Sequence, residues 1–217
     1  MNCKEYTPKQ MEKIQEFIEE TFGEIEYITH EIESKYVHTD AAVIKDFEGA
    51  GGIVTFGMGA EESYSPLDEF KRTELIAYVS PEFDFETEEG LILANELIGL
   101  TKVPFRDNTW FGMGHTVPTS KKFKEHFGYD AFLMAKISQT CQIKGVGDVS
   151  FLLMIPIYND ERQWMIDNNS MEYFRYMNQT LDADDALFCD KERGHFIPDK
   201  GDDIVKLIDL GAIEDLF

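Results

Sequence analysis

Residues 149–155 read VSFLLMI and form the most apolar stretch of the chain. The stretch has no charged residue, is rich in branched and aromatic side chains, and is bounded by a proline, so it predicts a strand buried on both faces. Because Pro156 has no backbone N–H to donate, we expect regular strand pairing to stop there. The chain is therefore predicted to fold around a sheet with this strand at its centre.

Other strands are predicted upstream of this stretch. Over residues 25–43 the spacing of apolar residues shortens from a helical pattern toward an alternation of apolar and polar side chains. This pattern is typical of two strands, here joined near Ser34. Residues 53–56 form a β-branched and aromatic run between glycines. We expect further strands at residues 74–79 and 131–135, and a weak one at residues 187–189.

Helices are predicted where apolar residues recur at helical spacing. Residues 8–22 start with Thr7 as a cap, a proline at the first helical position and a glutamine three residues after the cap. Ser170 is expected to cap a short helix, and a C-terminal helix is expected over residues 202–217. One face of a helix over residues 87–100 is predicted to carry Leu91, Ala94, Leu97 and Ile98. Because helices and strands alternate irregularly, the sequence predicts an α+β fold.

The composition restricts the classes of partner. The chain has 217 residues and no linker-like segment, so we expect a single domain over residues 1–217. Acidic residues number 42 against 20 basic ones, which gives a formal charge of −22. Such a surface repels nucleic-acid phosphates and anionic lipids, and it speeds encounter with a basic protein. We therefore expect neither nucleic acid nor membrane as a partner.

The cysteines indicate a reducing compartment. Cys3, Cys141 and Cys189 are far apart and form no CxxC pair. The N-terminal residues have no apolar signal core, and no apolar run is long enough to cross a bilayer. These features predict a cytoplasmic protein.

Two motifs superficially resemble ligand sites. Gly57-Met58-Gly59 follows a predicted strand, but Glu61 and Glu62 stand where a phosphate loop needs a glycine, so we interpret the motif as a turn. An acidic cluster lacks the spacing of a calcium loop, and we predict a solvated loop with neither metal nor cofactor. The acidic cluster consists of Asp182, Asp184, Asp185 and Asp190.

His115 is the one residue that suggests catalysis. It lies in a glycine-rich stretch and would act as a general acid or base if a carboxylate such as Glu74 or Asp107 were beside it. The alternative is a structural histidine held by hydrogen bonds. Glu74 and Glu161 are also candidates for a buried polar cluster with His115 or Arg72. Both interpretations remain open at the level of sequence.

Four further segments follow one another along the chain. They are Thr55-Phe56-Gly57-Met58, then Arg72-Thr73-Glu74-Leu75, then Thr109-Trp110 with Gly114-His115-Thr116, then Phe151-Leu152 to Ile155-Pro156-Ile157-Tyr158, with Glu161 after the last. This ordered set resembles the suppressor-of-fused-like (SUFU) domain family, in its small single-domain bacterial form. The resemblance covers about residues 24–198.

The resemblance implies a mixed, mostly antiparallel sheet flanked by α-helices, no catalytic residues and a role in binding another protein. Animal members have a second domain, which we expect this length to exclude, and capture a transcription-factor peptide by strand addition. Gly114 stands where they carry an aspartate, so this clamp is not carried over. The implied binding positions are Thr55, Gly57, Met58, Glu74, Trp110, Gly114, His115, Thr116, Tyr158 and Glu161.

Small bacterial members are thought to be immunity proteins that bind and neutralise a toxin. An acidic chain suits a basic toxin, since nucleases are often basic. The alternatives are a hydrolase that uses His115 with a carboxylate and a regulatory scaffold with several partners. The oligomeric state is left open.

Overall fold

The computed structural model describes residues 3–47, 49–180, 187–190 and 192–197. These residues form one seven-stranded sheet with helices on both faces. The strands are β1 Ile25–Thr29, β2 Asp40–Phe47, β3 Ala50–Phe56, β4 Thr73–Val79, β5 Thr116–Pro118, β6 Ala131–Ile143 and β7 Gly147–Ile157. The α-helices are α1 Pro8–Phe22, α2 Glu88–Leu100, α3 Val103–Arg106, α4 Lys121–Phe127, α5 Asn159–Asp167 and α6 Ser170–Thr180. Two short 3-10 turns lie at Met58–Ala60 and Asp68–Phe70.

The sheet has the strand order β1-β2-β3-β4-β7-β6-β5. The β4–β7 pair is parallel and the other pairs are antiparallel, which confirms the prediction of a mixed, mostly antiparallel sheet in an α+β fold. The VSFLLMI stretch lies within β7, between β4 and β6, and is buried throughout. The prediction of a central buried strand is therefore confirmed.

The two faces of the sheet carry separate cores because successive side chains of a strand point to opposite faces. On β7, Phe151 and Leu153 pack into the core beneath α1 and α6, whereas Leu152 packs into the core beneath α2 and α4. Ile14 and Ile18 of α1 are fully buried in the first core. Because both faces are covered, the edges of the sheet and the loops are left for contact with partners.

Pro156 does not end the pairing of β7, so that prediction was wrong. Pro156 lies opposite Phe132, and Ile157 lies opposite Ala131. Arg193 Nη2 donates to the Pro156 carbonyl, which therefore faces away from β6. In an antiparallel pair the N and C=O of one residue face the same side, so the nitrogen of Pro156 also faces away from β6 and no ladder bond is lost.

Three other local predictions need correction. Leu91 is 54% exposed, because α2 is turned so that the neighbouring Ile92 and Leu93 face the sheet. The second strand of the 25–43 region starts only at Asp40. The side chain of Asn169, rather than that of Ser170, accepts the Met171 N–H at the start of α6.

Two further predicted elements belong to the C-terminal part of the chain. The weak strand at residues 187–189 is reduced to one parallel bridge between Phe188 and Tyr78. The predicted helix at residues 202–217 lies outside the described residues, as do Asp182, Asp184 and Asp185. In the described part of the chain, no helix has the length and apolar character needed to span a membrane.

Candidate functional site

The ten predicted positions fall into three separate places. One group surrounds the start of β4, a second lies at the end of β7, and a third forms the turn that leads into β5. These groups are, in that order, Thr55, Gly57, Met58 and Glu74; Tyr158 and Glu161; and Trp110, Gly114, His115 and Thr116.

Glu74 is the centre of the first group and is fully buried. Its Oε1 accepts the N–H of Gly57 at 2.7 Å and that of Gly59 at 3.0 Å. Its Oε2 accepts the Thr55 hydroxyl at 2.8 Å. Burial raises the pKa of Glu74 above its ordinary value, and the hydrogen bonds from Gly59, Gly57 and Thr55 oppose this rise. The carboxyl group therefore ties the turn after β3 to the start of β4.

Both glycines of this turn lie where the surrounding residues leave no room for a side chain. Gly57 has φ +131, and a Cβ there would lie 2.1 Å from the His38 carbonyl oxygen. A Cβ on Gly59 would lie 2.6 Å from the Tyr6 hydroxyl. Met58 between them is 1% exposed. The interpretation of Gly57-Met58-Gly59 as a turn agrees with this geometry, and we propose that the first group is structural.

Tyr6 belongs to the first group, although the sequence did not suggest it. Its hydroxyl lies 3.3 Å from Glu74 Oε1, and burial, followed by the charge of Glu74, raises the pKa of Tyr6 well above its ordinary value. Arg72, by contrast, donates to the Gly59 carbonyl at 2.8 Å and pairs with Glu62. The cluster of Glu74 with Arg72 that the sequence left open is therefore not formed by these hydrogen bonds.

Glu161 pairs with Arg193, which the sequence analysis missed. The two guanidinium-to-carboxylate distances are 2.6 and 2.9 Å, and the Glu161 side chain is fully buried. Glu161 also accepts the N–H groups of Tyr158 and Phe196. The partner of the Glu161 carboxylate is therefore Arg193 rather than His115 or Arg72, the two candidates that the sequence left open. We propose that this ion pair anchors the segment after α6 to the end of β7.

Tyr158 packs around the same ion pair. Its hydroxyl donates to the Arg193 carbonyl at 2.7 Å, and its ring stacks on His195 with centroids 4.0 Å apart. Burial raises the pKa of Tyr129, whose ring lies 4.9 Å from that of Tyr158. The arrangement joins the start of α5 to the segment that contains Arg193 and His195.

The third group reaches the surface. The Trp110 ring packs between Phe70, 5.8 Å away, and His115, 4.4 Å away. Gly114 has φ +80 and donates its N–H to the Met134 carbonyl. Trp110, Gly114, His115 and Thr116 are each half-buried, so a partner is able to touch this turn.

The geometry that the hydrolase hypothesis requires is not found in the described part of the chain. The backbone of His115 is held by Gly112 and Met134, and its ring contacts Trp110 rather than a carboxylate. Glu74 is bound within the first group, and Asp107 pairs with Arg106 at 2.7 Å. Across the described ranges, no group of three or more His, Cys, Asp or Glu residues is placed to hold a metal ion.

β5 ends the sheet, so among the described strands its outer edge has no partner. Met134 N donates to the His115 carbonyl, and Thr119 N donates to the Asp130 carbonyl. Because backbone groups alternate between the two sides of a strand, the N–H and C=O of Thr116 face outward. Pro118 also faces outward but offers only its carbonyl. The open edge therefore has one donor and two acceptors.

A groove of about 550 Å³ lies beside β5. Its lining includes Val117 and Thr119 on one side and Ile92 and Gly99 of α2 on the other. A Cβ on Gly99 would meet nothing within 4 Å, so the packing of the chain itself does not require a glycine there. We call this groove, together with the outer edge of β5, the β5 groove.

Residues 35–194 match the protein family described as Suppressor of fused protein (SUFU). The chain belongs to the SUFU family. The match contains all ten predicted positions and Arg193, but not α1 or β1. The resemblance seen in the sequence is thereby confirmed.

Solved structures agree with this family in fold. A crystal structure of Drosophila Suppressor of Fused superposes with a TM-score of 0.60 at 14% identity, over 88% of this chain and 52% of that chain. The present chain thus spans about half the length of the Drosophila protein. A crystal structure of the Sufu–Fu complex gives a TM-score of 0.55 at 11% identity, over 89% of this chain and 93% of that one. No curated protein matches the sequence.

Proposed function

We propose that the chain is a non-catalytic protein-binding domain whose β5 groove receives the partner. The observation that carries the proposal is the open edge of β5, which lies next to the half-buried turn of Trp110 and His115. The Sufu protein in one of the similar structures is in complex with Fu, which supports protein binding as the type of activity.

The chemistry of the groove suits an extended segment of the partner. Main-chain groups of such a segment would bind the Thr116 N–H and C=O and the Pro118 C=O. Apolar side chains of the segment would contact Val117 and Ile92 in the groove. Gly99 would let the incoming backbone come close to α2, since it has no side chain to move away.

We propose further that the chain is an immunity-type protein, a single cytoplasmic domain that neutralises a basic toxin domain. Its charge of −22 supports a basic partner, because opposite charges steer association and raise the on-rate. At 0.1 M ionic strength, salt largely screens the interaction between charges that are more than about 10 Å apart. The affinity of the chain for a basic partner should therefore fall as the salt concentration rises.

The test is a binding measurement with the product of an adjacent toxin-like gene, at low and raised salt. Gly99→Met should weaken binding strongly because its side chain projects into the groove, whereas Gly99→Ala should leave binding nearly unchanged. Thr116→Pro should weaken binding because it removes the outward N–H. No complex at either salt, together with no protection of cells that express the toxin, would refute the immunity role. A complex that tolerates Gly99→Met and Thr116→Pro would refute the β5 groove as the contact.

A further inference from the structure

The segment at residues 61–71 has a polarity opposite to that expected for a surface loop. Ser63 and Ser65 face inward and are 8% and 6% exposed. Tyr64 and Leu67 face outward and are 59% and 47% exposed. The exposed Pro66 lies between them. Contiguous apolar groups on a surface mark contact sites more often than isolated ones do.

Hydrogen bonds of the two serines hold this segment in one conformation. The Ser63 hydroxyl donates to the Phe70 carbonyl at 3.0 Å. The Ser65 hydroxyl donates to the Leu67 carbonyl at 2.9 Å and accepts the Leu67 N–H at 3.1 Å. The Tyr64 N–H donates to the Thr109 carbonyl. These bonds explain the inward serines but give no internal reason for the exposed Tyr64 and Leu67, and a preset loop loses little entropy on binding.

The charges of this segment are balanced, unlike those of the whole chain, whose formal charge is −22. Each of its four carboxylates is paired with a cation. The pairs are Glu61 with Lys4, Glu62 with Arg72, Asp68 with Lys71 and Glu69 with Lys136. The surface around Tyr64 and Leu67 is therefore locally neutral.

A groove of about 480 Å³ adjoins the segment. Its charged lining is nearly balanced: the carboxylates are Glu62, Asp68, Glu69 and Asp148, and the cations are Lys71, Arg72 and Lys136. The cations are the more deeply placed partners, since Arg72 and Lys136 are 17% and 27% exposed whereas Glu62 and Glu69 are 56% and 50% exposed. The groove therefore lacks the excess of acidic charge that would favour a strongly basic partner, in contrast to the whole chain, whose formal charge is −22.

We propose that residues 61–71 and the adjoining groove form the interface between two copies of this chain. A two-fold interface needs a patch that complements itself, and balanced pairs of opposite charge around apolar anchors meet that need. At physiological ionic strength charges are screened over about 8 Å, so the neutral patch rather than the distant acidic surface decides the contact. Tyr64 of each copy inserts into the groove of the other.

The test is sedimentation equilibrium of the full chain from micromolar to submillimolar concentration. The wild type should show a concentration-dependent dimer. The double variant Tyr64→Ser/Leu67→Ser removes four apolar anchors per dimer and should weaken the dimer by about 100-fold or more. The control Leu91→Ser/Ile166→Ser removes apolar side chains that are 54% and 60% exposed on α2 and α5, and should dimerise as the wild type does.

Circular dichroism of both double variants checks that they fold. A wild type that stays monomeric at the highest concentration would overturn the proposal, as would equal dimerisation of the Tyr64/Leu67 variant. A monomeric wild type whose binding to another protein requires Tyr64 and Leu67 would also overturn it and would assign the patch to that protein. None of these results depends on the β5 groove, so the two proposals stand or fall separately.

Discussion

Replacing Glu74 by alanine should cause a large loss of stability. The change leaves four buried donors without an acceptor, namely the N–H groups of Gly57 and Gly59 and the hydroxyls of Thr55 and Tyr6. Each unsatisfied buried donor costs about 1–3 kcal/mol, and water that enters the cavity recovers part of this, so we expect a total loss of about 3–6 kcal/mol. Domains of this kind are stable by only about 5–15 kcal/mol, so the variant should be close to unfolding.

Glu74→Gln has nearly the same shape and separates hydrogen bonding from charge. Its amide oxygen still accepts the N–H groups of Gly57 and Gly59, and it no longer requires burial of a charge, so the loss should stay below about 2 kcal/mol. Urea denaturation followed by tryptophan fluorescence measures both variants. The control is Glu125→Ala, which removes an exposed carboxylate paired with Lys121 and should cost less than about 0.5 kcal/mol.

The pH dependence follows from the direction of the Glu74 pKa shift. The folded state raises this pKa above the unfolded value of 4.5, so the folded chain holds the proton more tightly. The stability that proton binding to Glu74 contributes is fully present below the pKa of this group in the unfolded state. It is lost as the pH rises through the pKa of Glu74 in the folded state. Wild type should therefore lose stability relative to Glu74→Gln as the pH rises above 4.5 and through the raised pKa of Glu74 in the folded state. A loss below about 1 kcal/mol for Glu74→Ala, or a wild-type advantage that grows with pH, would refute this reasoning.

Further predictions concern the ion pair of Glu161 with Arg193 and two glycines, Gly57 and Gly99. Arg193→Ala should lower the free energy of unfolding by about 3–5 kcal/mol because it leaves the Glu161 carboxylate buried without its partner. Arg193→Lys should restore only part of this stability because lysine cannot form the bidentate contact. A loss under about 1 kcal/mol for Arg193→Ala would contradict the anchoring role. Gly57→Ala should destabilise strongly because its Cβ would lie 2.1 Å from the His38 carbonyl oxygen. Gly99→Ala should stabilise the fold by about 0.5–1 kcal/mol because the position is helical and open. Thermal unfolding of the two glycine variants measures this contrast. A destabilised Gly99→Ala variant together with a tolerated Gly57→Ala variant would contradict the prediction.

The central part of the fold was predictable because it depends on local patterns. Residues 149–155 contain no charged side chain, so a strand buried on both faces was the expected structure. Pro156 was misjudged because the sequence does not say which side of a strand has a neighbour. The exposure of Leu91 was missed because helical spacing defines a stripe only to within about one residue, and the sheet selects the exact face.

The candidate site was predictable only in part, because its contacts join residues far apart in the chain. Arg193 lies 32 residues from Glu161, and Tyr6 lies 68 residues from Glu74, so no spacing rule connects either pair. A buried carboxylate always needs partners, which was the one available signal, but it does not identify them. The open edge of β5 could not be inferred either, since three residues are too few for a strand pattern.

The most direct test of the β5 groove is hydrogen–deuterium exchange of the chain with and without the product of an adjacent toxin-like gene. Strand addition would bury the outward N–H of Thr116, and this amide should exchange far more slowly in the complex. The amide of Thr119, which already donates to Asp130 within the sheet, should change little. A complex that leaves the Thr116 amide unprotected and slows exchange elsewhere would contradict the proposed site.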